Sequence, residues 1–197
     1  ADRLGDMAYG LGGIAEVLCK TPFAEGLVTD KEVFYAAARK MMKHPLHQAR
    51  QIGGRMLVGM PIEDFDGLAD ELIHVLNDKD KTHATYGPGP AGCAVLVLAS
   101  LNIREGLEYT RKIEDTPNAK AGGIFRTIWP IWAAYGANAK GELERFNKKH
   151  NNRDNWGRVN GIYHAMVKAV EEDKNPPKLI SLEEARQAGR AVSGADQ

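Results

Sequence analysis

Leu68, Leu72, Val75 and Leu76 recur three and four positions apart, while Asp70, Glu71 and His74 fall between them. That spacing paints a single apolar stripe along a helix and predicts one over 64–77 with one buried face. The same rhythm predicts helices over 7–20, 30–43, 47–59, 90–101, 103–114, 122–135, 141–149, 156–172 and 182–190. Strand signals are scarce. The one β-rich cluster, Val95-Leu-Val-Leu98, sits inside an Ala-rich apolar run too long for an ordinary strand, and no turn dipeptide separates two alternating runs. Local punctuation agrees with helices. Asp30 precedes Lys31-Glu-Val-Phe and can cap the free amides of the first turn, and Pro45 stops that helix. Ser181-Leu-Glu-Glu184 reads as a capping box that opens a last short helix after the Asn175-Pro-Pro177 break. Pro130 interrupts the 122–135 pattern and predicts a kink there.

A longer period lies above the helices. Polar turns near His44, Asp78, Asp115 and His150 are separated by 34, 37 and 35 residues, and each falls between two predicted helices. This is the spacing of helical-hairpin arrays. After each turn comes a helix rich in small residues, such as Ala49-Arg-Gln-Ile-Gly-Gly-Arg-Met-Leu57 and Ala91-Gly-Cys-Ala-Val-Leu-Val-Leu98. Small side chains there let neighbouring helices approach closely. The expected class is all-α, with a helical-repeat domain over 1–172, then a Pro-containing linker, a short helix and a frayed tail over 173–197.

The stretch Lys40-Met-Met-Lys-His-Pro-Leu-His-Gln-Ala-Arg50, with Gly53 and Leu57 following, resembles the turn and second helix of a HEAT repeat, with His44 standing where an Asp is usual. Leu72-Ile-His-Val-Leu76 with Asn77-Asp-Lys-Asp80 is similar to the end of a first HEAT helix and its acidic turn. The resemblance spans 30–172 and implies a HEAT-like α-α superhelix, an open solenoid whose work is protein binding or scaffolding. The insert over 81–89 departs from the pattern. So does the segment 7–20, which resembles a second helix without its partner and suggests a fragment of a longer array.

Composition narrows the partners. The 197 residues fit one domain, and 26 basic side chains balance 26 acidic ones, so no charge footprint for nucleic acid is present. Hydrophobic residues make up 43% of the chain, which excludes a disordered polymer, and no apolar run reaches the roughly 20 residues of a membrane span. Membrane insertion is not expected. Cys19 and Cys93 sit inside apolar helical patterns and read as small hydrophobes rather than as a disulfide pair. The sequence does not distinguish a cytoplasmic from an exported protein.

Candidate chemistry is sparse. Gly87-Pro-Gly-Pro-Ala-Gly92 has the G-x-G-x-x-G spacing, but a polar stretch precedes it where a dinucleotide turn needs a strand, and two prolines remove amide donors. It reads as a rigid connection starting a helix at Pro90, and His83 and Tyr86 share the long loop before it. His44 and His47 read as turn and cap residues, and His74, His150 and His164 are isolated. No nucleophile elbow occurs and no metal-ligand spacing is present, so no cofactor and no catalytic set is expected. Phe125, Trp129, Trp132 and Tyr135 lie three or four apart with Arg126 among them, and Trp156, Arg158 and Tyr163 follow. Helical spacing makes these core residues first, yet Trp and Arg also dominate binding patches. Two functions fit. The first is a noncatalytic repeat domain that binds a protein partner or an adjacent domain of the same chain through His83, Tyr86, Arg126, Trp129, Trp132, Trp156 and Arg158. The second is a partial α/α toroid that binds or processes a glycan, with His83, Tyr86, Trp129, Trp156 and Arg158 lining its cleft.

Overall fold

The computed structural model describes residues 28–77, 89–114, 124–150 and 161–193. Asp30 accepts a hydrogen bond from the Val33 amide at 3.0 Å and opens α1 (Lys31–Met42). The next two helices are α2 (His47–Met56) and α3 (Ala69–Leu76), the latter after 3-10 turns at Ile62–Asp64 and Asp66–Leu68. Four longer helices follow: α4 (Gly89–Ser100), α5 (Arg104–Glu114), α6 (Ile124–Tyr135) and α7 (Lys140–His150). A 3-10 turn at Gly136–Ala139 joins α6 to α7, and α8 (Gly161–Glu172) and α9 (Leu182–Ser193) complete the set. Among the described residues no β-strand forms, and the one extended contact is an isolated parallel bridge between Ile103 and Ile180.

The all-α class read from the sequence therefore holds. Among the described residues three boundaries differ by three residues or more, one being the last helix, which runs to Ser193 rather than 190. The helix predicted over 64–77 is shorter and begins as two 3-10 turns, because Phe65 and Leu68 must both reach the core, where each is fully buried. Residues three apart eclipse in a 3-10 turn, so that geometry turns Ile62, Phe65 and Leu68 to one side. The helix predicted over 47–59 stops at Met56, and Gly59 then takes a left-handed φ of 80°. Pro130 lies inside α6, which continues past it. The segment 7–20, the loop holding His83 and Tyr86, and the tail 194–197 lie outside the described residues.

The core runs the length of the described body. α4 sits at its centre: it packs against α2, α3, α5 and α6, and nine of its twelve residues are buried. A helix apolar on every side must be enclosed on every side. α1 packs on α2 and α6 packs on α8, extending the core in both directions. Small residues set the spacing, as the sequence suggests. A Cβ on Gly53 would lie 2.7 Å from the Met42 nitrogen and 2.9 Å from the Ala38 carbonyl oxygen, so α1 and α2 touch backbone to backbone there. The turn between them is clamped from within. Arg50 Nη1 donates to the carbonyls of His44 (2.9 Å) and Pro45 (2.6 Å), and His44 Nδ1 accepts the Leu46 amide at 3.1 Å, the bond an Asp would accept in an Asx turn.

Candidate functional site

The densest charge constellation among the described residues lies where α5 meets α7. Glu142, Arg145 and Lys149 are spaced three and four apart on α7 and so share one face. Arg111 and Glu114 on α5 meet that face. Arg111 Nε donates to Glu142 Oε1 at 2.9 Å, Arg145 Nε donates to Glu142 Oε2 at 3.1 Å, and Lys149 Nζ lies 3.1 Å from Glu114 Oε1. Arg145 Nη2 closes the set by donating to Glu114 Oε2. The side chains of Glu114 and Glu142 are only 1% and 8% exposed, so these carboxylates are covered on the protein side and by their partners.

The electrostatics follow from that cover. Burial alone would raise the Glu142 carboxyl, but hydrogen bonds and charge from Arg111 and Arg145 outweigh it and hold the group below the ordinary carboxylate range. The Arg111 guanidinium is pushed up in return, chiefly by its hydrogen bond to Glu142. A general acid or base needs the opposite arrangement, a carboxylate brought towards neutral pH. This constellation is suited to holding two helices in register.

The layer beneath contains the tryptophans. Trp132 Nε1 donates to Thr110 Oγ1 at 3.1 Å, and Thr110 Oγ1 in turn donates to the Leu107 carbonyl at 2.7 Å. Trp132 stacks edge-on to Phe146 of α7 at 5.6 Å, and Trp129 does the same with Tyr163 of α8 at 5.0 Å. Both tryptophans are fully buried. In this structure they are the pegs that fix α6 to α7 and α8, and neither offers a surface to a partner. Tyr135 ends the same helix buried, its hydroxyl donating to the Ile103 carbonyl at 2.5 Å, and burial pushes its phenol well up.

Of the other residues singled out from the sequence, Arg126 lies on α6 with its side chain outside the described set, and His83, Tyr86, Trp156 and Arg158 lie outside the described residues altogether. The structure therefore brings together only Trp129 and Trp132, as core. The constellation of Arg111, Glu114, Glu142, Arg145 and Lys149 was not singled out in the sequence, although the spacing of Glu142, Arg145 and Lys149 was visible. Among the described residues no His, Cys, Asp or Glu trio could hold a metal ion, and no helix is long and apolar enough to cross a membrane. Comparison with protein-family models gives no match, and neither curated proteins nor solved structures give a significant one.

Proposed function

We propose that this chain is a noncatalytic, HEAT-like helical-repeat domain that docks a protein partner or an adjoining domain of a longer protein. The observation that carries this reading is the register of the links between helices. Lys31–Asp64, Tyr109–Leu76, Arg111–Glu142, Tyr135–Ile103 and Ala137–Asp173 join positions 33, 33, 31, 32 and 36 residues apart. Four of these fall just below the 34 to 37 residues between turns in the sequence and one within it, while Lys43–Glu71 and Gly59–Ser100 span 28 and 41, so the repeat is approximate. Packing supports the same reading: α2, α4, α6 and α8 meet in succession, as the inner helices of stacked hairpins do, with α1, α3 and α5 each against a member of that row. The Arg50 clamp on its own turn gives the HEAT-like Arg a physical job.

A stack of hairpins presents a long ridge on which a partner can dock. Small-angle scattering tests the architecture. An open array gives an asymmetric pair-distance distribution with a long tail, whereas a symmetric, ring-like distribution overturns the array in favour of a closed toroid. Titration with neutral and acidic oligosaccharides, followed by amide chemical shifts, tests the chemistry: no saturable shifts are expected, and saturable shifts would move the reading to a glycan module.

A further inference from the structure

The last helix is held unlike any other described element. Residues 102–104 and 180 exchange two backbone bonds, Ile180 N to Asn102 O at 3.0 Å and Arg104 N to Ile180 O at 2.8 Å, which bring the chain back across the body. The capping box then forms as the sequence predicts: Glu184 N donates to Ser181 Oγ at 3.1 Å and Ser181 N to Glu184 Oε2 at 2.6 Å. Glu105 of α5 accepts the Leu182 amide at 3.0 Å with both carboxylate oxygens. Beyond that tether, α9 lies on the two 3-10 turns at Ile62–Asp64 and Asp66–Leu68.

The contact is acidic below and basic above. Arg190 grips Asp66 side-on, Nε to Oδ2 at 3.1 Å and Nη2 to Oδ1 at 3.2 Å. Arg186 reaches Asp70 at 2.5 Å and lies 3.7 Å from Asp66. Between the two arginines, a Cβ on Gly189 would lie 3.0 Å from the Glu63 carbonyl oxygen and 3.1 Å from the Asp66 Cβ, so the small residue permits the close seat. Ala185 and Gly189 are the buried positions on α9 among its described side chains. Ala185 and the partly buried Leu182 anchor the start of α9 on the core, and beyond them charge pairing is the main grip, which weakens with salt.

We propose that α9 is a releasable strap seated on an acidic shelf, Asp66 and Asp70 with the Glu63 backbone, and that this shelf is a docking surface for a basic helix of a partner. The occupant it fits is a helix with two arginines four apart and a small residue just before the second, the pattern Arg186-Gln-Ala-Gly-Arg190 that the chain itself places there. A tethered helix competes at an effective concentration in the millimolar range, so the strap yields to an external helix only when its own grip is loosened. The inference is independent of the repeat reading, since it rests on α9 and the two 3-10 turns alone.

The test uses the full chain and a labelled synthetic peptide of residues 178–193. Arg186→Gln with Arg190→Gln weakens the strap and leaves the shelf intact, so it should bind the peptide at least about tenfold more tightly than the unaltered chain does. Asp66→Asn with Asp70→Asn should abolish binding, and a peptide with both arginines changed to Glu should not bind. Equal binding by all three proteins, or equal binding of the Glu peptide, overturns the proposal. Hydrogen exchange on the unaltered chain supplies a readout that needs no variant. Raising salt from about 50 mM to about 500 mM should speed exchange across 182–193 severalfold and leave 93–98 unchanged, and salt-independent protection of 182–193 overturns it. Low-salt self-association in sedimentation that Arg186→Gln with Arg190→Gln removes supports the shelf and makes the second copy's strap its occupant.

Discussion

α4 and α9 are both twelve residues long, and they are held by opposite physics. α4 is enclosed by four helices, with nine residues buried, and the hydrophobic effect that holds it is insensitive to moderate salt and to pH. α9 lies on the outside with Ala185 and Gly189 beneath it and Asp66, Asp70 and Glu105 around it. Identical length says nothing about strength. On the strap proposal, one helix belongs to the cooperative core and should open only with global unfolding, while the other should open by itself.

Substitutions that separate the two should rank as follows. Leu98→Ala, in the buried wall of α4, should cost about 2–5 kcal/mol in urea unfolding, with the same loss at low and high salt. A salt-dependent loss would mean that α4 is not the burial-held pole of the comparison. Glu142→Gln is intermediate, because it breaks a covered carboxylate whose partners are partly solvated, and about 1–3 kcal/mol is expected. The pH sign follows from the lowered Glu142 group. Its contribution is complete above the ordinary carboxylate range near pH 4.3 and is lost as pH falls through the lower folded value. The unaltered protein should therefore lose stability in acid more steeply than Glu142→Gln, which acid titration of the circular dichroism signal would show.

Gly53→Ala should destabilise by about 1–2 kcal/mol, since the clash with the Met42 and Ala38 backbone outweighs the better helix propensity of Ala. A stabilised Gly53→Ala protein would mean that α1 and α2 lie further apart than described. The smallest global effect belongs to Asp66→Asn, below about 1 kcal/mol by urea. Its signature is local: faster exchange of α9 amides at low salt, with a smaller further change on adding salt, because Arg186–Asp70 remains. A global loss as large as that of Leu98→Ala would erase the distinction between the two helices.

The sequence disclosed the helices better than their grouping. Asp30, Pro45 and the Ser181–Glu184 box are local signals, because a cap bonds within three residues of itself, and each does in the structure what its position implies. Trp129 and Trp132 carried two meanings, since helical spacing fits a core peg and a binding anchor alike, and only the neighbours Tyr163 and Phe146 decide between them. The charged constellation was less legible. Nothing local ties Arg111 to Glu142 or Arg145 to Glu114, because those bonds exist only once α5 and α7 have been set side by side. The split of 64–77 was hidden for a related reason: Phe65 and Leu68 fit an α-helical period nearly as well as a 3-10 one, and the demand that both be buried comes from the surrounding core.

The two 3-10 turns between α2 and α3 have a consequence for how this sequence can drift. With a period of three, Ile62, Phe65 and Leu68 face inward while Glu63 and Asp66 lie against α9. Inserting or deleting one residue would rotate everything beyond it by about 120°, carrying an acid into the core and an aromatic ring into water. Single changes at its exposed positions can be absorbed, but changes of length cannot. Related chains should hold the residue count of 62–68 constant and tolerate change in side chain chiefly at the exposed Glu63 and Gly67.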